Sequence, residues 1–331
     1  MTTSALSPSK ARGGVLDVSI VILARNEAHN LARSLPLVAD QKFEGTYELI
    51  GIDTDSDDAT PELLHKHGAR IFKVSHSDFH HVRTRLFGIA QARAPFVVFL
   101  VADAFPINEF WLQALVQPLL DDPLVAATYS RQLPAPGCVP WEARDILAGG
   151  SVVREVKQVD WSNPFAIENY HKHFWKYIAF SDVSSCYRKE LLKDIPIPEG
   201  LSEVEDQYWC KCLLEKGYKI ILEPTSIVVH SHNDSMRRLY KRQKMYGRCF
   251  AIFSDAQPER LSRLVCHALE ASVNDLFFDI ARRDGGVLAR LKWAIQIPLV
   301  RFVKRLGYRQ GIVEGIAKKR PLLGDQPPKQ V

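Results

Sequence analysis

The sequence predicts an α/β fold: a mixed, mainly parallel sheet flanked by helices, with a helical extension at its C-terminal end. Three observations predict it. Short apolar runs of strand length recur from Asp17 onward, segments of helical periodicity separate them, and the character changes to long basic helical stretches after His232.

The elements follow in order. Strands are expected at Val18 to Leu23, Tyr47 to Asp53, Arg70 to Val74 and Phe96 to Val101, with helices at Glu27 to Asp40, Thr60 to His67 and Val82 to Arg93. A helix from Asn108 to Leu120, capped by Asn108, leads to a strand at Val125 to Arg131. Pro134 to Pro140 is a turn-rich break, and Trp141 to Phe180 lacks clean periodicity, which suits helices and loops. A short strand at Ser184 to Arg188, a helix at Glu205 to Lys216 and a strand pair around Lys219 to Val229 complete the main domain. The C-terminal helices are expected at Ser235 to Phe253 and Val287 to Leu306, with Pro298 interrupting the second. The resulting partition is a disordered lead-in at 1–16, an α/β domain at 17–234, and a helical segment with a basic tail at 235–331.

Composition narrows the function. The chain has 331 residues, is 46% hydrophobic and 24% charged, and carries a formal net charge of +5. That balance suits a folded protein and gives no reason to expect a nucleic-acid partner. Six cysteines without a repeating framework read as free thiols in a reducing cytoplasm, Cys210 and Cys212 included. The N-terminus has no apolar core of a signal peptide, and no apolar run is long enough to span a bilayer. The expected location is cytoplasmic, with a peripheral place at the inner membrane face as a further option. The Val287 to Leu306 stretch mixes apolar residues with Arg290, Lys292, Arg301, Lys304 and Arg305. It reads either as a helix lying on an anionic membrane surface or as one packed with its basic face in water.

Polar residues gather where the strands end: Arg25-Asn26-Glu27, Asp53 to Asp58, and Asp103. In open α/β sheets ligands bind beyond the carboxyl ends of the strands. Taken alone, each has a structural alternative: Asp57 and Asp58 read as helix caps, Asp103 could cap the Asn108 region, and Glu205-Asp206 suits a helix N-terminus.

The segments SIVILARNEAHNL, IGIDTDSDDAT, FHHVRTRLFGIA, FVVFLVADAFP, VAATYSRQLP and LSEVEDQYWCKCLLEKGYKIILEPTSIVVHSH occur in this order. Together they resemble glycosyltransferase family 2, with its GT-A fold, and within it the rhamnosyltransferase-like members. The resemblance covers roughly residues 17 to 250 and implies an inverting enzyme that moves a sugar, rhamnose or another deoxysugar, from a nucleotide diphosphate donor. The acceptor would be a hydroxyl of a saccharide or lipid-linked saccharide in polysaccharide or glycolipid synthesis.

Carried over residue by residue, the resemblance implies that Arg25, Glu27 and Asp53 hold the nucleotide. His81 and Arg85 would meet the diphosphate, and Arg131 of the Y-S-R-Q segment would contact substrate; Ser130 stands where the family pattern has glycine. Asp206 would be the general base with Glu205 beside it. Asp103 and His230 would hold Mg2+ or Mn2+, His232 following two residues on. The family's Asp-x-Asp metal motif lacks its first acid here, where Val101 stands. That departure keeps a second reading open, a catalytically inactive member that binds nucleotide-sugar or glycan. A sugar nucleotidyltransferase would want a Gly-rich phosphate loop after the first strand, and ARNEAHN offers none.

Overall fold

The computed structural model describes residues 16–282 and 286–319. The expected lead-in and the end of the basic tail lie outside these residues. Along the chain run β1 (Val18–Ala24), α1 (Ala28–Ala39), β2 (Tyr47–Asp53), α2 (Thr60–Lys66), β3 (Arg70–Lys73), α3 (His81–Gln91), β4 (Phe96–Leu100) and β5 (Phe105–Pro106). Then come α4 (Trp111–Asp121), β6 (Val125–Leu133), α5 (Pro140–Ala148), β7 (Glu155–Lys157), α6 (Pro164–Lys172), α7 (Phe174–Ile178), β8 (Ser184–Arg188) and α8 (Lys189–Leu192). The last elements are α9 (Glu205–Glu215), β9 (Lys219–Val229), α10 (Met236–Phe253), α11 (Leu261–Arg282) and α12 (Val287–Lys319).

The chain forms two compact units. The first comprises the described residues up to Ala135 together with Ile146–Pro196 and Glu205–Ser231; the second comprises Pro136–Asp145, Ile197–Val204 and the described residues from His232.

The first unit is built on one sheet in the order β3-β2-β1-β4-β8-β6-β9-β5, with β7 paired to β9. Strands β3, β2, β1 and β4 are parallel, β8 is antiparallel to both its neighbours, and β6 and β9 are again parallel. The continuous apolar runs of β1 and β4 are buried, as strands covered on both faces require. Helix α1 turns Leu31, Leu35 and Val38 toward the core at helical spacing. Gly51 and Gly88 let Leu64 and Val21 approach the backbone where a Cβ would collide with them. This is the mixed, mainly parallel sheet flanked by helices that the sequence predicts.

Four details differ from expectation. Helix α4 begins at Trp111, because the Asn108 side chain closes a turn by accepting the Phe110 N–H at 2.9 Å. The expected strand pair at Lys219 to Val229 is the single strand β9 with a bulge: Ser130 pairs with Glu223 and Arg131 with Ile227. Pro224, which has no N–H to give, lies in the extra residues. Pro298 does not interrupt α12; it lies inside the helix, beside buried Ile297 and Val300 that anchor the turn. A third long C-terminal helix, α11, was not expected. All six cysteines are free.

In the second unit α10, α11 and α12 pack around Trp141, Leu239, Ile297 and Val300. Helices α10 and α12 meet backbone to backbone. A Cβ at Gly247 would overlap the Tyr308 carbonyl oxygen, and one at Gly311 would overlap that of Lys244; Gly307 and Gly315 make similar approaches to Tyr240 and Arg248. No helix among the described residues is long and apolar enough to cross a membrane.

Candidate active site

The loops after β1 and β2 are laced together. Asn26, in left-handed backbone at φ 55°, donates its N–H to Ser56 Oγ at 2.9 Å and accepts the Asp57 N–H through Oδ1 at 2.9 Å. Glu27 N–H donates to Thr60 Oγ1 at 2.8 Å, and Glu27 Oε2 accepts from Asn30 at 2.7 Å. Asp58 accepts from the N–H groups of Ala28 and Thr60, and so does the capping work that its sequence context suggests. Arg25 is exposed, its guanidinium 3.1 Å from His76 Nε2. Asp53, at the very end of β2, is 1% exposed, and its Oδ1 has no hydrogen-bond partner among the described residues. A buried carboxylate oxygen left unpaired is costly unless a ligand donor completes it.

Strands β2 and β4 flank β1, so their ends stand roughly 10 Å apart at ordinary strand spacing. The chain leaving β4 turns tightly, with Val101 N–H bonded to Val183 O and Ala104 N–H to Val101 O, each at 3.0 Å. Phe105 then pairs with Val229, which brings Asp103, two residues before Phe105, close to His230, the residue after Val229. The Asp103 Oδ1 to His230 Nε2 distance is 3.6 Å. On the other ring nitrogen, Nδ1 lies 3.3 Å from Gln132 Oε1; with Nδ1–H donating there, Nε2 keeps its lone pair toward the carboxylate. A hard oxygen and an imidazole nitrogen oriented by an amide form a donor pair that fits a divalent cation whose other positions go to phosphate oxygens and water.

Gln132 continues the path. Its Nε2 donates to Ser181 Oγ at 3.0 Å, and the next residue, Asp182, donates its N–H to Asp206 Oδ2 at 3.2 Å. Polar contacts on either side of the Ser181–Asp182 peptide thus connect Asp103 and His230 to Asp206 within the first unit.

Asp206 belongs to a cluster short of positive charge. Glu205 is fully buried and ion-paired with Arg85 Nη1; Asp182, also buried, lies 3.5 Å from Arg85 Nε and accepts from Ser185 Oγ at 2.6 Å and Tyr187 Oη at 2.7 Å. The guanidinium also stands over the Phe99 ring, 5.6 Å from its centre. Three carboxylates therefore share one cation, and Glu205 Oε2 and Asp182 Oδ2 have no hydrogen-bond partner among the described residues. Burial opposes charge on Arg85, but Glu205, Asp182 and Asp206 outweigh it and hold the guanidinium charged. Burial, then the negative charges of Asp182 and Glu205, push Asp206 up to about 8 against the opposing pull of Arg85 and the Asp182 N–H; the Gln207 N–H also donates to Asp206 Oδ1 at 2.8 Å. Asp206 keeps partial access to solvent, unlike Glu205 and Asp182, so it is the member of the trio that a substrate can reach. Val204, just before α9, holds φ at 61°, a strained value for a β-branched residue and a feature that clusters at functional sites.

His81 opens α3 and packs edge-on against Phe79; burial, then Arg85, lowers its pKa. Arg131 sits on β6, half-buried, its backbone in the β6–β9 ladder and its guanidinium with no hydrogen bond or ion pair to a described residue. Ser130 is structural: its hydroxyl lies 2.6 Å from Ser184 Oγ and 2.7 Å from Ser226 Oγ, beside the Trp111 indole. The structure therefore brings Asp103, His230, Glu205, Asp206 and Arg85 into one polar system, and places Asp53, Glu27 and Arg25 on the neighbouring strand ends. Sequence reasoning missed Asp182, Gln132 and Ser181. Asp182 sits in FSDVSS, where no spacing or cap signal marks it; only tertiary convergence does.

Comparison with known proteins agrees with this fold. The sequence model of one family, described as Glycosyl transferase family 2, matches residues 19–196. The O-antigen chain rhamnosyltransferase RfbN of Salmonella typhimurium is 28% identical over 201 residues, and its counterpart WbaN of Salmonella anatum is 30% identical over 199. Each match takes in 59% of this chain and 60% of the relative, so the chain spans less than two thirds of the length of these curated relatives. Among solved structures, the mannosyltransferase PcManGT from Pyrobaculum calidifontis, in complex with GDP-Man and Mn2+, superposes with a TM-score of 0.55 at 15% identity. That match covers 95% of this chain and 90% of the other.

Proposed function

The chain belongs to glycosyl transferase family 2, and from that premise we propose that it moves a sugar from a nucleotide diphosphate donor to an acceptor hydroxyl with inversion at the anomeric carbon. The observation that carries this reading is Asp206, a half-buried residue whose carboxyl pKa is lifted toward neutrality and which is linked through Asp182, Ser181 and Gln132 to His230 and Asp103. A general base works best with a pKa near the operating pH. Asp206 takes the proton of the acceptor hydroxyl as its oxygen bonds to the anomeric carbon, and the bond from that carbon to the diphosphate breaks on the opposite face. Arg85 and Glu205 keep the base in place and set its charge. The unpaired oxygen of Asp53 accepts from a ribose hydroxyl or a base N–H, with Arg25 and Glu27 at the same strand end. His81 and the unengaged Arg131 favour the diphosphate.

Asp103 and His230 would hold Mg2+ or Mn2+, which when bound neutralises the departing diphosphate. A rhamnose donor and an O-antigen-type polysaccharide acceptor accord with the names of the two Salmonella relatives; a related deoxysugar and a lipid-linked acceptor belong to the same proposal on the sequence motifs alone.

The test is nucleoside diphosphate release from a panel of UDP-, dTDP- and GDP-sugars, with and without Mg2+ or Mn2+. Asp206→Asn should lower turnover about 10²- to 10⁴-fold while donor binding, read by thermal shift, persists. Asp103→Ala should weaken the metal-dependent part of donor binding. Binding without turnover in the unaltered chain, unchanged in Asp206→Asn, would instead favour an inactive nucleotide-sugar-binding member, the reading that Val101 keeps open.

A further inference from the structure

Helix α11 shows the wrong face to water. Its buried positions include Ala268, Ser272, Asp275 and Asp279, whereas Leu261, Val265, Leu269, Val273, Phe277 and Ile280 recur every three or four residues and are exposed, Phe277 at 68%. The first half of α12 repeats the arrangement with Leu288, Leu291, Ile295 and Leu299, Ile295 being 79% exposed. Single exposed apolar residues are ordinary, but rows of this length on two consecutive helices are an interaction surface. Helix α11 is held on its inner side by Leu264 and Leu276 and by ion pairs: Asp275 accepts from Arg301 through both oxygens, at 2.5 and 2.6 Å, and from Arg144 at 2.6 Å.

Charge decides what covers the rows. Residues 232–331 contain 20 Lys and Arg against nine Asp and Glu, while the rest of the chain has an excess of acid. Arg263 and Glu270 are both exposed on one flank of the α11 row, and Lys292 is exposed within the α12 row, so the positive excess at this surface comes from α12 and from the region as a whole. A second copy would bring two such basic regions together against their mutual repulsion. An anionic lipid surface offers an apolar layer and the opposite charge at once. No described helix is long and apolar enough to cross a bilayer.

We propose that α11 and the first half of α12 dock on an anionic lipid bilayer, apolar rows at the acyl boundary and Arg263 and Lys292 among the headgroup phosphates. The proposal is independent of the transfer reaction, since its readout is binding alone. Full-length chain is floated with vesicles of phosphatidylglycerol and phosphatidylethanolamine, and in parallel with pure phosphatidylcholine. The unaltered chain should float with the anionic vesicles and at least tenfold less with the neutral ones. Leu269→Glu with Phe277→Glu, and separately Ile295→Glu, should each lower the bound fraction about tenfold with an unchanged melting profile. The milder Leu269→Ser with Phe277→Ser should lower it less but measurably. Vesicle binding that survives all three variants would overturn the proposal. So would a chain that ignores anionic vesicles and sediments as a dimer dissociated by the same substitutions.

Discussion

Two arginines paired with buried carboxylates, one in each unit, teach opposite lessons. Arg301 sits among Asp275 and Asp145, with Arg144 and Lys304 joining the same carboxylates, so cations outnumber acids and every charge is answered. Burial pushes Asp145 upward, yet Lys304 and Arg301 outweigh it and hold the carboxyl below the usual range. Arg85 sits among Asp182, Glu205 and Asp206, and there acids outnumber the cation three to one. The first arrangement is a staple between helices. The second is incomplete without something positive or a proton, which is what a site awaiting substrate looks like.

The sharpest way to break this contrast is to delete each arginine. Arg301→Ala leaves Asp275 buried without its main partner and should cost about 3–5 kcal/mol of stability, read by urea unfolding, with turnover per folded molecule unchanged. Arg85→Ala should instead abolish most turnover, because Asp206 then loses the charge that favours its ionised form. Equal stability losses with no activity difference would erase the distinction between the two clusters.

A middle-sized effect follows from proton linkage. Between about pH 4 and pH 8 the folded chain keeps on Asp206 a proton that an unfolded aspartate has already released. Stability therefore falls as pH rises through this window, and is lowest above it. Asp206→Asn removes that slope, so its melting temperature should exceed that of the unaltered chain by several degrees at pH 8.5 and match it more nearly at pH 4. Initial rates of the unaltered chain should rise with pH toward about 8 as the base ionises. Asp145 works in the other direction: its lowered pKa adds stability above the ordinary carboxylate range, lost on acidification.

The smallest effect sharpens the reading of Ser130. Ser130→Gly restores the family's residue but removes a hydroxyl from the Ser184, Ser226 and Trp111 group, and should cost about 1–2 kcal/mol with little change in turnover.

How much of this was legible beforehand depends on the physics that wrote it. The central strands were, because a strand buried on both faces must be apolar throughout, and Tyr47–Asp53 begins and ends where the sequence places it. Asp53, Asp103, Asp206 and His230 were legible as strand-end and helix-start residues within an ordered series of motifs. Asp182 and Gln132 were not, since each gains its role only from partners far along the chain. Helix α11 is hard to read because its longest apolar row marks an outer surface, while the inner stripe mixes Leu264 and Leu276 with Ala268, Ser272, Asp275 and Asp279.

The glycines along α12 have a last consequence. With Gly307, Gly311 and Gly315 pressed on the α10 backbone, no side chain serves as a bearing on which α12 could roll. Its azimuth is locked, so Leu288 and Ile295 cannot be tucked away by a turn of the rod, and the greasy stripe stays outermost for as long as the chain is folded.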